Sequence, residues 1–203
     1  MGKVGKKVAD HGTRSVPRPA APKEKIILGL DPGTSVMGYG VILIQGRSLK
    51  LLQFGVIHLS KLESHELRLK KIFDRVMSII DEFSPDEVAL EAPFYGKNVQ
   101  SMLKLGRAQG VAMSAALHRG IPIVEYAPKK VKQSVTGNGN ASKEQVARML
   151  MQVFAFKELP KLLDASDALA VAVCHHYQKD GGKTKTKSWD SFLKENPKRV
   201  KEF

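Results

Sequence analysis

Residues 26–34 read Ile26-Ile27-Leu28-Gly29-Leu30-Asp31-Pro32-Gly33-Thr34. A short apolar run of this kind reads as a buried strand. It ends on a lone carboxylate, and Pro32-Gly33 turns the chain sharply. One acid therefore stands at the tip of a buried strand. The fold and the chemistry both turn on whether the rest of the chain brings more carboxylates to Asp31.

Working outward, Lys25–Asp31 is expected as the first strand. Gly38–Gln45 and Leu51–Leu59 follow as strands two and three, with Gly46-Arg47-Ser48 as a hairpin turn between them. From Ser64 to Phe83, Leu69, Ile72, Phe73, Val76, Ile79, Ile80 and Phe83 recur at helical spacing. Ser84-Pro85-Asp86 breaks that helix, and Glu87–Glu91 is a short strand that ends on a second carboxylate. Val99–Arg119 is a helix closed by Gly120, and Pro122–Tyr126 is strand five. Residues 128–136 and 142–156 are helical, separated by Gly137-Asn138-Gly139-Asn140, and Asp164–Gln178 is the last helix. Three antiparallel strands followed by alternating helices and strands give an α/β fold: a mixed five-stranded sheet with helices on both faces.

The chain has 203 residues and a formal net charge of +13, so its partner is expected to be anionic, with nucleic acid first. The apolar run Ala168–Cys174 is far too short to span a bilayer, so no membrane association is expected. Residues 1–24 hold six Lys/Arg against two acids, and residues 179–203 hold eight against four. Both read as basic segments without a hydrophobic period, an N-terminal arm and a C-terminal tail around a domain at 25–178. The lone Cys174 excludes an internal disulfide and reads as a small buried hydrophobe. Residues 1–24 lack the apolar core of a secretory signal, so a cytoplasmic setting is expected.

Asp31 and Glu91 each end a strand. If those strands are parallel neighbours, both acids emerge at one sheet edge, where open α/β folds place their ligands. The last helix opens Leu163-Asp164-Ala165-Ser166-Asp167, and acids at i and i+3 share a helix face. Four converging carboxylates repel unless protons or a divalent cation neutralise them. Oxygen-only donors suit Mg²⁺ or Mn²⁺, and no Cys/His pattern suggests zinc. Two such ions about 3.5–4 Å apart suit phosphodiester hydrolysis. Taken singly, each acid also fits a bland role, as a turn, a strand end or a helix-dipole partner.

Four segments together resemble the RuvC family of Holliday-junction resolvases, in the RNase H-like superfamily. They are ILGLDPGTSVMGYGVI at 27–42, ALEAPFYGKNVQSMLKLGRAQGV at 89–111, VEYAPKKVKQSVTGNGNASKEQV at 124–146 and LDASDALAVAVCH at 163–175. The resemblance implies an RNase H-like nuclease domain over 25–178 that nicks four-way DNA junctions in pairs. It implies that Asp31, Glu91, Asp164 and Asp167 are the metal-binding tetrad, with Mg²⁺ (replaceable by Mn²⁺), two per site. Asp31 is expected to bridge them, and Asp167 is the more obligatory of the two helix acids. Lys132 and Lys143 match basic residues near the scissile phosphate, and Phe94 matches an aromatic presented to the junction. Lys97, Asn98 and Arg107 are expected on backbone phosphates. A homodimer, coupling to a RuvA–RuvB branch-migration motor and a nucleoid-associated location are further implications. Gly106 and Gly110, one turn apart in a helix, suggest close approach of another backbone, from its own sheet or from a second subunit. The two basic segments are expected to add non-specific DNA affinity.

Other readings remain open at this point. Another RNase H-like nuclease acting on RNA or an RNA–DNA hybrid would keep the same acids. A sugar-kinase or actin-type ATPase also has an Asp-x-Gly-Thr turn after a strand, but needs two such domains. A catalytically dead junction-binding module would not need all four acids.

Overall fold

A computed structural model describes residues 24–93, 98–155 and 163–180, with side chains through 178. In chain order the elements are β1 (Glu24–Asp31), β2 (Val36–Gln45), β3 (Ser48–His58), α1 (His65–Phe83), β4 (Glu87–Glu91), α2 (Val99–His118), β5 (Ile123–Tyr126), α3 (Pro128–Thr136), α4 (Lys143–Phe154) and α5 (Leu163–Asp180). They form one five-stranded sheet in the order β3-β2-β1-β4-β5. β1/β2 and β2/β3 pair antiparallel, while β1/β4 and β4/β5 pair parallel.

The local chemistry sets most of these boundaries. Gln45 pairs with Ser48 across a two-residue loop in which Gly46 has φ 62°, the positive value that tight hairpin turns require. Ser64 caps α1 by accepting from Leu67 N at 3.2 Å. Asp86, just before β4, accepts from Ile26 N at 2.7 Å and so ties the start of β4 to β1. No helix among the described residues is long and apolar enough to cross a membrane.

Strand alternation feeds two cores. Leu28, Leu30, Val88 and Leu90 pack with Ile72, Val76 and Ile79 of α1 and Ala108, Ala112 and Ala115 of α2. Ile27, Ile42 and Ala89 pack on the opposite face with Val131 of α3, Val146 and Leu150 of α4, and Leu169 to Cys174 of α5. Helices thus cover both faces, and Cys174 is fully buried among hydrophobes. Burying side chains such as Leu28 or Ile72 stabilises the fold by roughly 1.5–3 kcal/mol each.

The contact that positions the functional edge is made by glycines. A Cβ on Gly38 would lie 2.1 Å from the Asp164 carbonyl oxygen, and one on Gly29 would lie 2.2 Å from that of Ala168. The backbone of α5 therefore rests directly on β1 and β2. Any side chain at these two positions would lift the helix and its first-turn acids off the sheet.

Several expected boundaries move. Glu24, read as the last arm residue, belongs to β1, where it pairs with Gln45 and accepts from its Nε2 at 2.6 Å. β2 starts at Val36 and β3 at Ser48, because the ladder continues to the hairpin turn. The helix expected at 142–156 spans 143–154, since Ser142 is its cap and Ala155 turns left-handed at φ 53°. α5 continues to Asp180 rather than ending at Gln178. The remainder of the two basic segments, 1–23 and 181–203, lies outside the described residues. Among the described residues no backbone approaches Gly106 or Gly110: none lies within 4 Å of a Cβ at either position. Packing on their own sheet is thereby excluded.

Candidate active site

β1 and β4 run parallel with Leu30 opposite Leu90. The next residues, Asp31 and Glu91, therefore leave the sheet side by side at one edge. Their odd-numbered neighbours Ile27 and Ala89 face α3–α5, so period-two alternation turns both acids to that face. α5 arrives there over Gly29 and Gly38 and adds Asp164 and Asp167, one turn apart. One oxygen each from Asp31, Asp164 and Asp167 lie within 4.8 Å of one another. Glu91 is not part of that three-oxygen group, but it lines the same cleft, of about 670 Å³, with Asp31, Asp167, Lys132 and Lys143.

The acids are energetically uncomfortable there. Burial, followed by repulsion from Glu91 and Asp167, pushes the Asp31 carboxyl up to about 8. Burial and then Asp167 push Glu91 up to about 7. Burial also raises Asp167, against the pull of Lys143. The counter-charge is Lys143, whose Nζ lies 2.5 Å from Asp167 Oδ2 and 3.2 Å from Asp164 Oδ1. Burial opposes its charge, but those two acids more than offset it and hold the ammonium above its usual range.

Lys143 is delivered by the start of α4. Ser142 Oγ accepts from Gln145 N at 3.2 Å, and Gln145 Oε1 accepts from Ser142 N at 2.8 Å. This capping box fixes the first turn on which Lys143 sits. The preceding loop is held by Thr136 Oγ1, which accepts from Asn138 N at 3.1 Å, and by Asn138 Oδ1, which accepts from Asn140 N at 2.9 Å.

The donor set fits a hard divalent cation. All the donors are carboxylate oxygens, three of them converge, and burial together with mutual repulsion raises Asp31 and Asp167, which leaves negative charge in want of neutralisation. Asp31, Asp164 and Asp167, with Glu91 at the cleft wall, are the residues that would hold it.

The other expected site residues fare differently. Lys132 lines the cleft. Phe94 and Lys97 lie outside the described residues. Asn98 caps α2, its Oδ1 accepting from Ser101 N at 3.0 Å, so that oxygen is committed to the helix. Arg107 is exposed on α2, outside the cleft that Asp31, Glu91 and Asp167 line.

Two buried polar contacts, one beside the site and one at the far end of β4, were not expected. Gln109 of α2, 5% exposed, donates from Nε2 to Glu125 and lines a small hollow with Asp31, Glu91 and Pro93. His175 of α5 is fully buried between Tyr126 Oη at 2.8 Å and Glu87 Oε2 at 2.5 Å, and Lys25 Nζ also reaches Glu87 Oε2 at 2.5 Å. Burial pushes the Tyr126 hydroxyl up to about 12. His175 and Glu87 are 88 residues apart, and nothing in local sequence pairs them. A histidine inside the apolar repeat Ala168–Cys174-His175 was the available signal for a buried partner.

Known proteins share this arrangement across most of the chain. A family model for crossover junction endodeoxyribonuclease RuvC matches residues 27–175. The crossover junction endodeoxyribonuclease RuvC of Cytophaga hutchinsonii is 64% identical over 178 residues, covering 88% of this chain and 89% of that one. The Porphyromonas gingivalis protein of the same name is 56% identical, covering 89% of this chain and 100% of its own. Among solved structures, Thermus thermophilus RuvC in complex with a Holliday junction substrate superposes with TM-score 0.73 at 34% identity, over 78% of this chain and 96% of that one. With identity this high over nearly the whole length of its relatives, the chain belongs to the RuvC family of crossover junction endodeoxyribonucleases.

Proposed function

We propose that this protein resolves four-way DNA junctions by metal-dependent hydrolysis of phosphodiester bonds, in recombination and repair. The observation that carries the reading is the convergence of Asp31, Asp164 and Asp167 within 4.8 Å at the edge where Glu91 also stands. Asp31, Glu91, Asp164 and Asp167 hold Mg²⁺, two ions per site, with Mn²⁺ able to substitute. When bound, these ions supply charge neutralisation and Lewis acidity at the phosphodiester and lower the pKa of water.

The chain's own residues do the remaining work. Asp31, deepest of the acids, would be a central ligand of the bound metal, with Glu91, Asp164 and Asp167 beside it. Lys143, positioned by its capping box and by Asp167, offers its ammonium to a non-bridging phosphate oxygen, and Lys132 flanks the same path. Such a preorganised donor contributes most where charge builds up in the transition state. Phe94 stacks on an unpaired base at the junction, and Lys97, Asn98 through its amide, and Arg107 hold backbone phosphates.

Two symmetric nicks need two active sites, so the working unit is a homodimer. Gly106 and Gly110, open to solvent on α2, leave room there for a second subunit's backbone. The segments 1–24 and 179–203 add affinity through counterion release, and a RuvA–RuvB motor and a place at the nucleoid complete the setting.

The deciding experiment compares a mobile four-way junction with an RNA–DNA hybrid duplex in Mg²⁺. Paired cuts in the junction and none in the hybrid are expected. Preferential cutting of the hybrid favours an RNase H-like enzyme that reads the 2′-OH.

A further inference from the structure

A second polar cavity lies where the first turns of α1 and α2 meet the loop after β1. It encloses about 270 Å³ and is lined by Thr34, Glu63, His65, Arg68, Ser101 and Lys104. That is room for a phosphate group with several waters, at about 30 Å³ for each water. Arg68 is locked in place: its Nε and Nη2 donate to Leu62 O at 3.1 and 3.0 Å, and its Nη1 donates to Thr34 O at 3.2 Å. All of these acceptors are neutral carbonyls. Neither Arg68 nor Lys104 has a carboxylate ion pair among the described residues. His65 Nε2 is shielded from solvent and has no hydrogen-bond partner, an unmet demand that native structures rarely leave without a ligand or water. Glu63 is the single acid in the wall, against Arg68, Lys104 and His65.

The placement relative to the four acids gives the cavity its meaning. Thr34 is three residues beyond Asp31, so their Cα atoms are at most about 11 Å apart. That is about three nucleotide steps of 3.4 Å rise. Leu28 and Leu30 face α1 and α2 while Asp31 faces α5. The cavity and the catalytic cleft therefore sit on opposite faces of the sheet at one edge. A strand that crosses this edge meets both.

We propose that this cavity seats a backbone phosphate of the DNA strand being cut, within about three nucleotides of the scissile bond, with Arg68 and Lys104 supplying the charge and Ser101 and His65 hydrogen bonds. The site rests on the nuclease reading above and extends it: the strand is held on both sides of the sheet edge. The cleft beside Asp31 takes the scissile phosphate, and this seat fixes the strand's direction.

The test uses the full chain and a four-way junction carrying a single uncharged methylphosphonate at successive positions beside the cut, with binding measured in Ca²⁺. Lys104→Ala is the variant, because Lys104 is exposed and has no ion pair among the described residues, whereas loss of Arg68 also frees two carbonyls. Lys104→Ala is expected to weaken binding about five- to tenfold near 0.1 M salt and to lower the log–log salt slope by about 1. At one methylphosphonate position the wild type loses affinity and Lys104→Ala loses no more, and Lys104→Arg restores the wild-type pattern. Unchanged affinity and slope in Lys104→Ala, or equal methylphosphonate penalties in both proteins at every position, would overturn the proposal while wild-type cutting in Mg²⁺ leaves the nuclease reading standing. A wild type that neither binds nor cuts the junction overturns both.

Discussion

Lys143 Nζ stands 2.5 Å from Asp167 Oδ2, joining the first turn of α4 to the first turn of α5 across the mouth of the site. Asp164 Oδ1 shares the same ammonium at 3.2 Å. With no metal present, this lysine is the nearest positive charge to three crowded carboxylates. Were Asp164 and Asp167 to hold a divalent cation, the Lys143 ammonium would be left to a phosphate oxygen. Lys143→Ala should then lower single-turnover cleavage about 10²–10³-fold, with junction affinity changed less than tenfold. Equal losses in affinity and rate would assign Lys143 to binding alone.

The protonation of Asp31 makes the metal-free protein pH-sensitive. Its carboxyl titrates near 3.8 when unfolded and near 8 when folded, because burial and Glu91 disfavour its charge. Between those values the folded state binds more protons than the unfolded state, so stability falls as pH rises through this window. Glu91 adds the same sign between 4.5 and about 7. In EDTA the urea midpoint should drop from pH 6 to pH 8, and Asp31→Asn should flatten the drop, gaining on the order of 2 kcal/mol at pH 8. A midpoint that rises over this range contradicts the assignment.

Metal binding should reverse that trend. Deprotonated carboxylates are the ligands, so Mg²⁺ should raise the melting temperature at pH 8 and do little at pH 5. Thermal melts with and without Mg²⁺ at the two pH values test this. Asp167→Asn should remove most of the shift.

Gly38→Ala should be far more damaging than its size suggests. Its Cβ would meet the Asp164 carbonyl oxygen at 2.1 Å, and that atom belongs to backbone. Overpacking of this kind costs about 1–3 kcal/mol or more and tilts the first turn of α5. Denaturant melts should show the loss, and cleavage at a temperature where the variant is folded should fall as well.

Gly106→Leu is the opposite case. Among the described residues nothing lies within 4 Å of a Cβ there, so the subunit fold should keep or slightly gain stability, as glycine in a helix costs roughly 0.5–1 kcal/mol. Sedimentation should show a weakened dimer. An unaffected dimer moves the subunit contact away from this face of α2.

Much of this architecture is legible in the sequence because strand ends and helix periods are local signals. Asp31 and Glu91 announce themselves by closing apolar runs, and Asp164 and Asp167 by their i, i+3 spacing. The glycines that seat α5 on the sheet are visible as residues but not as contacts, because their partners, Asp164 and Ala168, lie over 120 residues away. Asn98 matches a phosphate contact by resemblance, yet its carbonyl oxygen caps α2, a use that only the backbone reveals. The links from Lys25 to Glu87 to His175 and from Gln109 to Glu125 escape a linear reading for the same reason. Each joins residues on separate elements with no shared period.

The most direct measurement is junction cleavage by wild type and Asp31→Asn in Mg²⁺, with junction affinity measured beside it. Asparagine keeps the shape of Asp31 and removes the charge at the centre of the carboxylate group. Binding within a few-fold of wild type, with cutting reduced by at least about three orders of magnitude, is the expected result. Cutting by Asp31→Asn at near the wild-type rate would contradict a mechanism built on these four acids.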